Sequence, residues 1–270
     1  MRPVEGGFRI MPKGSAKTAN SVDKDERYRA PALDKGLDIL ELLSEQPGGL
    51  TRAEIGEAMG RGPSEVYRML ERLVARDFVS RSPEGDRYAL TMKLFILAHR
   101  HPPIRRLVAR AQPLMDAFSV AAGQSCHLVA PDRDAAIVVA HASPPGNWEF
   151  GIRIGAHIDL LTTSSGHILL AFQDPHSQSE AAARWEGTRQ ASAREKLESI
   201  LTGYRDLGHR VGPSQQMRAI DDISVPILSP DGYAIAVLTC PYILRIDDRQ
   251  ADIDQTLALL KDVAAKLSLS

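Results

Sequence analysis

The chain has 270 residues, 43% of them apolar and 25% charged, with a formal net charge of −1. That length suits about two domains, and that composition suits a soluble globular protein. The charge balance excludes polyanion binding by bulk charge, two cysteines exclude a disulfide framework, and no apolar run approaches the ~20 residues of a helical membrane span. Sparse cysteine points to a reducing compartment, and the N-terminus lacks the apolar core of a signal peptide. The expected location is the bacterial cytoplasm.

Residues 1–30 are polar, with more basic than acidic side chains, and read as a disordered arm. Leu33, Leu37, Leu40 and Leu43 recur at helical spacing and predict a first helix over 33–45. Thr51 followed by Glu54 is a capping box that opens a second helix, with Ile55, Ala58 and Met59 as its apolar face. Gly60 and Gly62 end it, and Pro63 suits the first turn of a third. There Val66, Leu70, Leu73 and Val74 face inward. Ser64, Glu65, Arg68, Arg72 and Arg76 are left on the polar side. One anchoring face and one face of donors is what a helix-turn-helix needs to enter a major groove. Between residues 58 and 81, Arg61, Arg68, Arg72, Arg76 and Arg81 outnumber Glu65, Glu71 and Asp77. Strands at 78–82 and 87–91 flank the turn-rich Pro83-Glu84-Gly85-Asp86. Three helices and this hairpin make a winged helix over 31–93.

A basic connector follows within 94–122, carrying His99, Arg100, His101, Arg105, Arg106 and Arg110 around Pro102-Pro103. From Ile104, the residues Leu107, Ala111, Leu114, Met115 and Phe118 keep helical spacing to Gly123 and open a second domain over 104–270. Strands are expected at 126–130 and 135–142, around Pro131-Asp132-Arg133-Asp134, and at 150–154. Two more, at 223–228 and 233–241, flank Ser229-Pro230-Asp231-Gly232, a strong hairpin signal. Helices are expected over 164–172, from the capping box Ser192/Glu195 to about residue 204, and from Asp247. The last places Ile253, Leu257, Leu260, Ala264 and Leu267 on one face. Adjacent hairpins with helices packed on them make a mainly antiparallel α+β domain.

Both halves together resemble the IclR family of bacterial transcriptional regulators, over roughly residues 31–268. The N-terminal carriers are Leu33-Asp34-Lys35-Gly36-Leu37-Asp38-Ile39-Leu40, Glu54-Ile55-Gly56, Glu65-Val66-Tyr67-Arg68-Met69-Leu70 and Leu73-Val74. The C-terminal carriers are Cys126-His127-Leu128, Arg153-Ile154-Gly155, the run from Thr163 to Ala171, Ile223-Ser224-Val225-Pro226-Ile227, and Asp231-Gly232. The resemblance implies a winged helix-turn-helix that binds double-stranded operator DNA as a dimer. It also implies an effector domain, similar to GAF and PAS folds, that binds a small molecule and forms tetramers. Such proteins regulate catabolic genes, as repressors or activators, in response to organic acids or aromatic metabolites. The chain departs from the family pattern at Ser64-Glu65, where Ser-Thr is common, at His167, where many members have Lys, and at Asp222, where some have Cys.

The candidate DNA-binding residues are Thr51, Arg61, Ser64, Glu65, Tyr67, Arg68, Arg72 and Arg87. Arg68 takes either guanine O6 and N7 or a phosphate. Arg61 and Thr51 suit phosphate. Arg72 either touches DNA or sits on a solvated face, Arg87 lies near the wing tip, and Tyr67 is read as partly core. Glu65 accepts from a cytosine amine or pairs with Arg68.

The candidate effector-binding residues are His127, His141, Arg153, Thr163, Ser164, Ser165, Asp222 and Thr239. Free backbone N–H groups at Thr163–Ser165 suit a carboxylate. Asp222 repels one unless protonated or paired, and welcomes a hydroxyl or an amine. Arg153 pairs either with an effector carboxylate or with a structural acid. His127, His141, His157 and His167 lack the short spacing of a metal site. There is no nucleophile elbow, no CxxC and no phosphate-binding glycine loop. The chain is therefore expected to be a regulator with no catalytic residues, metal or cofactor. The competing reading is a small-molecule enzyme or metabolite-binding protein whose N-terminal domain serves assembly.

Overall fold

A computed structural model describes residues 30–268, except 85, 101, 134, 147–149 and 247–249. The expected arm lies outside the described residues but for Ala30. Outside them too are Gly85 of the wing turn, His101 of the connector, Asp134 of the first hairpin and Asp247, the expected start of the last helix. The chain divides at Ala98/His99 into two compact units.

The first unit holds α1 (Pro31–Ser44), β1 (Leu50–Thr51), α2 (Arg52–Ala58), α3 (Pro63–Ala75), β2 (Val79–Arg81) and β3 (Arg87–Leu90). A further helix, α4 (Lys93–His99), follows. The capping box is formed as expected: Glu54 N donates to Thr51 Oγ1 at 3.2 Å, and Thr51 N donates to Glu54 Oε2 at 2.7 Å. Pro63 occupies the first turn of α3. Ile39, Leu43, Ile55, Val66, Leu70, Val79 and Tyr88 form one core. Ala58 is exposed, so the inner face of α2 is Ile55 and Gly56. The wing hairpin gains a strand that periodicity did not show. β1 pairs antiparallel with β3, in the order β1-β3-β2, and two residues are too short to display alternation.

The second unit is built on six antiparallel strands in the order β6-β5-β4-β9-β8-β7. These are β4 (Cys126–Asp132), β5 (Ala135–Ala142), β6 (His157–Ile158), β7 (Arg210–Pro213), β8 (Asp221–Leu228) and β9 (Ala234–Tyr242). The helices are α5 (Pro102–Ala122), α6 (Ser164–Ala171), α7 (Pro175–Trp185), α8 (Arg189–Leu207) and α9 (Ile253–Leu267). Side chains alternate across a strand, so each strand supplies two faces. Leu128, Ala140, Ile223, Val225 and Leu238 meet Met115 and Phe118 of α5 and Leu260 of α9. On the other face, Val129, Val138 and Val237 meet Ile168 of α6, Trp185 of α7 and Leu201 of α8. The result is a helix–sheet–helix sandwich.

Several expected elements are corrected. Residues 150–154 form no strand, since the chain turns there and Ala156 N donates to Arg153 O. The pairing partner of β5 is β6, at 157–158. Ser192 is interior to α8, whose N-cap is Thr188, so Ser192 and Glu195 are no capping box. The last helix is capped by Asp252, whose side chain accepts from Gln255 N. α5 begins at Pro102, two residues before the expected start at Ile104, as a missing N–H costs nothing in a first turn.

Leu238 is fully buried in the C-terminal unit's core between the sheet and helices α5 and α9. Leu238→Ala should lower stability by about 2–5 kcal/mol, read as a fall in the urea midpoint. An unchanged midpoint would mean that this face is not packed.

Candidate functional site

Two surfaces carry the chemistry. The first is the polar side of α3. Ser64, Tyr67, Arg68 and Arg72 are exposed there, Tyr67 at 41%. Tyr67 is therefore no core residue; the Arg52 guanidinium lies over its ring, 5.5 Å from the centroid. Glu65 is paired with Lys35 rather than with Arg68. Its carboxylate takes a hydrogen bond from Lys35 Nζ of α1, and Arg61 lies 3.9 Å away. The Lys35 bond, then the Lys35 charge, hold Glu65 below the usual carboxylate range. Arg87 is engaged as well: its Nη1 donates to Gly49 O at 2.8 Å and sits 3.7 Å from Glu54. The Thr51 hydroxyl is committed to its cap.

The second surface is a cavity of about 500 Å³ in the C-terminal unit. Its floor follows from strand register. Residues paired across antiparallel strands point to the same face. His141 pairs with His127, His127 with Thr239, Thr239 with Ser224, and Ser224 with Arg210. One polar row thus crosses five strands. His127, Thr239, Ser224 and Arg210 are all buried. A register shift in the β4–β5 pairing lets Val138 and His141 share this face despite their odd spacing.

Helix α6 lies on that row, capped by the Thr163 side chain, which accepts from Gly166 N. Ser165 Oγ and Ser224 Oγ each meet Thr239 Oγ1 at 2.8 Å. Arg210 Nη1 donates to Ser164 Oγ, and Ser164 Oγ donates to Asp222 Oδ2 at 2.7 Å. Arg210 Nη2 donates to Pro213 O at 2.8 Å. Phe150, Ile152, Ile158, Met217, Ile220 and Pro241 add apolar wall.

Of the expected effector residues, His127, Thr163, Ser164, Ser165, Asp222 and Thr239 line the cavity, while His141 and Arg153 do not. His141 is on the right face but is covered. A Cβ built on Gly151 would fall 2.0 Å from its Nε2, so the backbone there lies flat against the imidazole. Arg153 is exposed on the turn before Ala156. His167 is likewise off the lining: its Nε2 meets Leu161 O at 2.9 Å and its ring stacks on Tyr204. Among the described residues no three His, Cys, Asp or Glu side chains converge to hold a metal. Cys126 and Cys240 are free and buried on neighbouring strands, and burial pushes the Cys126 thiol up to about 12.

Comparison with known proteins decides what carries these two surfaces. The IclR helix-turn-helix domain matches residues 32–83, and the bacterial transcriptional regulator IclR C-terminal domain matches 104–269. The chain belongs to the IclR family of transcriptional regulators. It is 28% identical over 243 residues to the HTH-type transcriptional regulator KdgR of Escherichia coli, covering 87% of this chain and 90% of that one. It is similar to an IclR transcriptional regulator from Alicyclobacillus acidocaldarius, at 25% identity and a TM-score of 0.67 over 89% of this chain and 98% of that one. It also shares the fold of an IclR homologue from Microbacterium hydrocarbonoxydans complexed with 4-hydroxybenzoate. The TM-score there is 0.70 at 23% identity, over 88% of this chain and 97% of the other. Both matched family models describe regulatory domains.

Within this IclR-family frame, sequence reasoning missed Lys35, Arg52 and Arg210. Arg210 follows Gly208-His209 in no motif, and only the β7–β8 register brings it to Ser164. A basic residue on α1, 30 positions before Glu65, gives no local signal either.

His127 offers a direct test of the site's burial. Desolvation, then the neighbouring His141, pushes its pKa from 6.5 down to about 4. The unfolded chain therefore takes up this proton first as pH falls. Stability contributed by neutral His127 is complete above about pH 6.5 and lost as pH drops towards about 4. His167 is shifted the same way by burial. His127→Gln should reduce the pH slope of urea-measured stability in that window by up to about one proton. An unchanged slope would place His127 in water.

Proposed function

We propose that this IclR-family regulator controls catabolic genes by binding operator DNA as a homodimer or homotetramer in the cytoplasm. A small metabolite in the C-terminal cavity sets its operator affinity. The observation that carries the reading is the pairing, on one chain, of an α3 with an exposed donor face and a half-apolar cavity floored by buried polar groups. Among the described residues no helix is long and apolar enough to cross a membrane.

On α3, Arg68 is the base reader and Ser64, Tyr67 and Arg72 are its neighbours. Arg61 and the backbone at Thr51 serve phosphates. Glu65 and Arg87, already paired, position the reading head. In the cavity, His127, Thr163, Ser164, Ser165, Asp222 and Thr239 hold the effector. An aromatic metabolite suits the apolar wall, and the 4-hydroxybenzoate complex of a protein with this fold supports that class over an aliphatic organic acid. The effector acts by population shift. It binds one arrangement of the assembly better than another and moves the equilibrium by that difference.

A gel shift with the chain's own upstream intergenic region should show specific binding that weakens steeply with salt. Arg68→Ala should cost about 1–3 kcal/mol of operator affinity with an unchanged circular dichroism spectrum. Equally weak binding to every sequence would overturn the regulator reading and favour an assembly role for the N-terminal domain.

A further inference from the structure

The cavity holds its charges in a way that bears on the ligand's head group. Among the described lining residues two are acidic, Asp159 and Asp222, and none is Lys or Arg. Asp159 is exposed, and its Oδ1 is drawn into its own loop by Leu161 N, Thr162 N and Thr162 Oγ1. Asp222 is half-buried beside the floor: Oδ2 accepts from Ser164, and no described residue donates to Oδ1. The balancing cation, Arg210, is 6% exposed and lies off the lining. It reaches Asp222 only through the Ser164 hydroxyl. A ligand entering this corner therefore meets a carboxylate first.

The rest of the corner sharpens the choice. The first amides of α6, at Ser164 and Ser165, point out of a capped helix start and ask for an acceptor. On the floor, His127 is 2% exposed, and its Nδ1 has no partner. A carboxylate satisfies the amides but only accepts, so it is repelled by Asp222 and finds no lining cation. An ammonium satisfies Asp222 but not the amides. A hydroxyl does both, because it donates one hydrogen bond and accepts two.

We propose that the cavity selects a neutral, hydroxyl-bearing ligand, an alcohol or a phenol docked on Asp222, and discriminates against the matching carboxylate. This rests on the reading of the cavity as the effector site. Asp222 is then a specificity residue, and Arg210 is a positioning residue that acts through Ser164.

The test uses the full chain and ligand pairs that differ only in head group: benzyl alcohol against benzoate, and 2-phenylethanol against phenylacetate. Isothermal titration should show each alcohol binding at least about tenfold more tightly than its carboxylate. Asp222→Asn keeps an acceptor, adds a donor and removes the charge, so it should erase or invert the preference. The double variant Asp222→Asn with Arg210→Gln removes the acid together with its buried counter-charge and covers the case in which the single variant fails to fold. It should behave the same way. Carboxylates binding the wild type as tightly as alcohols would overturn the inference alone, as would a preference that survives in both variants. Saturable binding by none of the four would overturn the effector-site reading itself.

Discussion

A guanidinium leaves water only if partners take its place, and Arg210 is buried. Desolvation of such an ion costs on the order of several kcal/mol, so its hydrogen bonds constrain everything near it. Nη2 is met by the Pro213 carbonyl at the end of β7, and Nη1 by Ser164 at the start of α6. The Ser164 hydroxyl then donates onward to Asp222 of β8. One side chain thus ties an edge strand, its neighbour and the helix above them. That clasp places the first turn of α6 over Thr239 and His127, and so creates the wall opposite the sheet. Only the guanidinium Nε is left without a partner. The arrangement shows how an acid is tolerated beside this cavity. The counter-charge is present, but it is spent on the protein.

The DNA-facing unit follows a different logic. Its charges are at the surface, where a pair contributes little to stability. Lys35 and Glu65 are 20% and 39% exposed, so their pairing matters for geometry more than for energy. Glu65 is turned towards α1 and Arg61, and the donors left free on α3 are Ser64, Tyr67, Arg68 and Arg72. Tyr67 is in turn backed by Arg52, a cation over its ring. The helix pair packs through a small core around Ile55 and Leu70, so the exposed face carries no packing burden.

Much of the fold was legible because periodicity is a local property. α1, α2, α3, α5 and α9 show apolar residues at helical spacing, and β4, β5, β8 and β9 are apolar runs bounded by turn residues. The elements that escaped notice lack such signals. β1 and β6 are two residues long, β7 is an edge strand of mixed character, and α7 carries only Ala181 and Trp185 in the core. Ser192 and Glu195 have capping-box spacing yet lie within α8, since three residues of matching type cannot report that the helix has already begun. The cavity was half legible. Thr163, Ser164 and Ser165 stand at a helix start that the chain announces. His141 has the right residue type and the right face, but the Gly151 backbone covers it.

The sequence by itself determined a winged helix-turn-helix joined to an α+β domain, since capping, periodicity and turn chemistry act between residues a few positions apart; its motifs, taken together, pointed to the IclR family. It also determined which side chains could do chemistry. Only the tertiary structure decided which of them meet. Residues 127, 164, 210, 222 and 239 are brought together by strand register and by one helix laid across it. Register depends on hydrogen bonds between segments far apart in the chain, and a shift of one residue turns every side chain to the other face. That is why Asp222 reads from the chain as an isolated acid and from the fold as a carboxylate already balanced from behind.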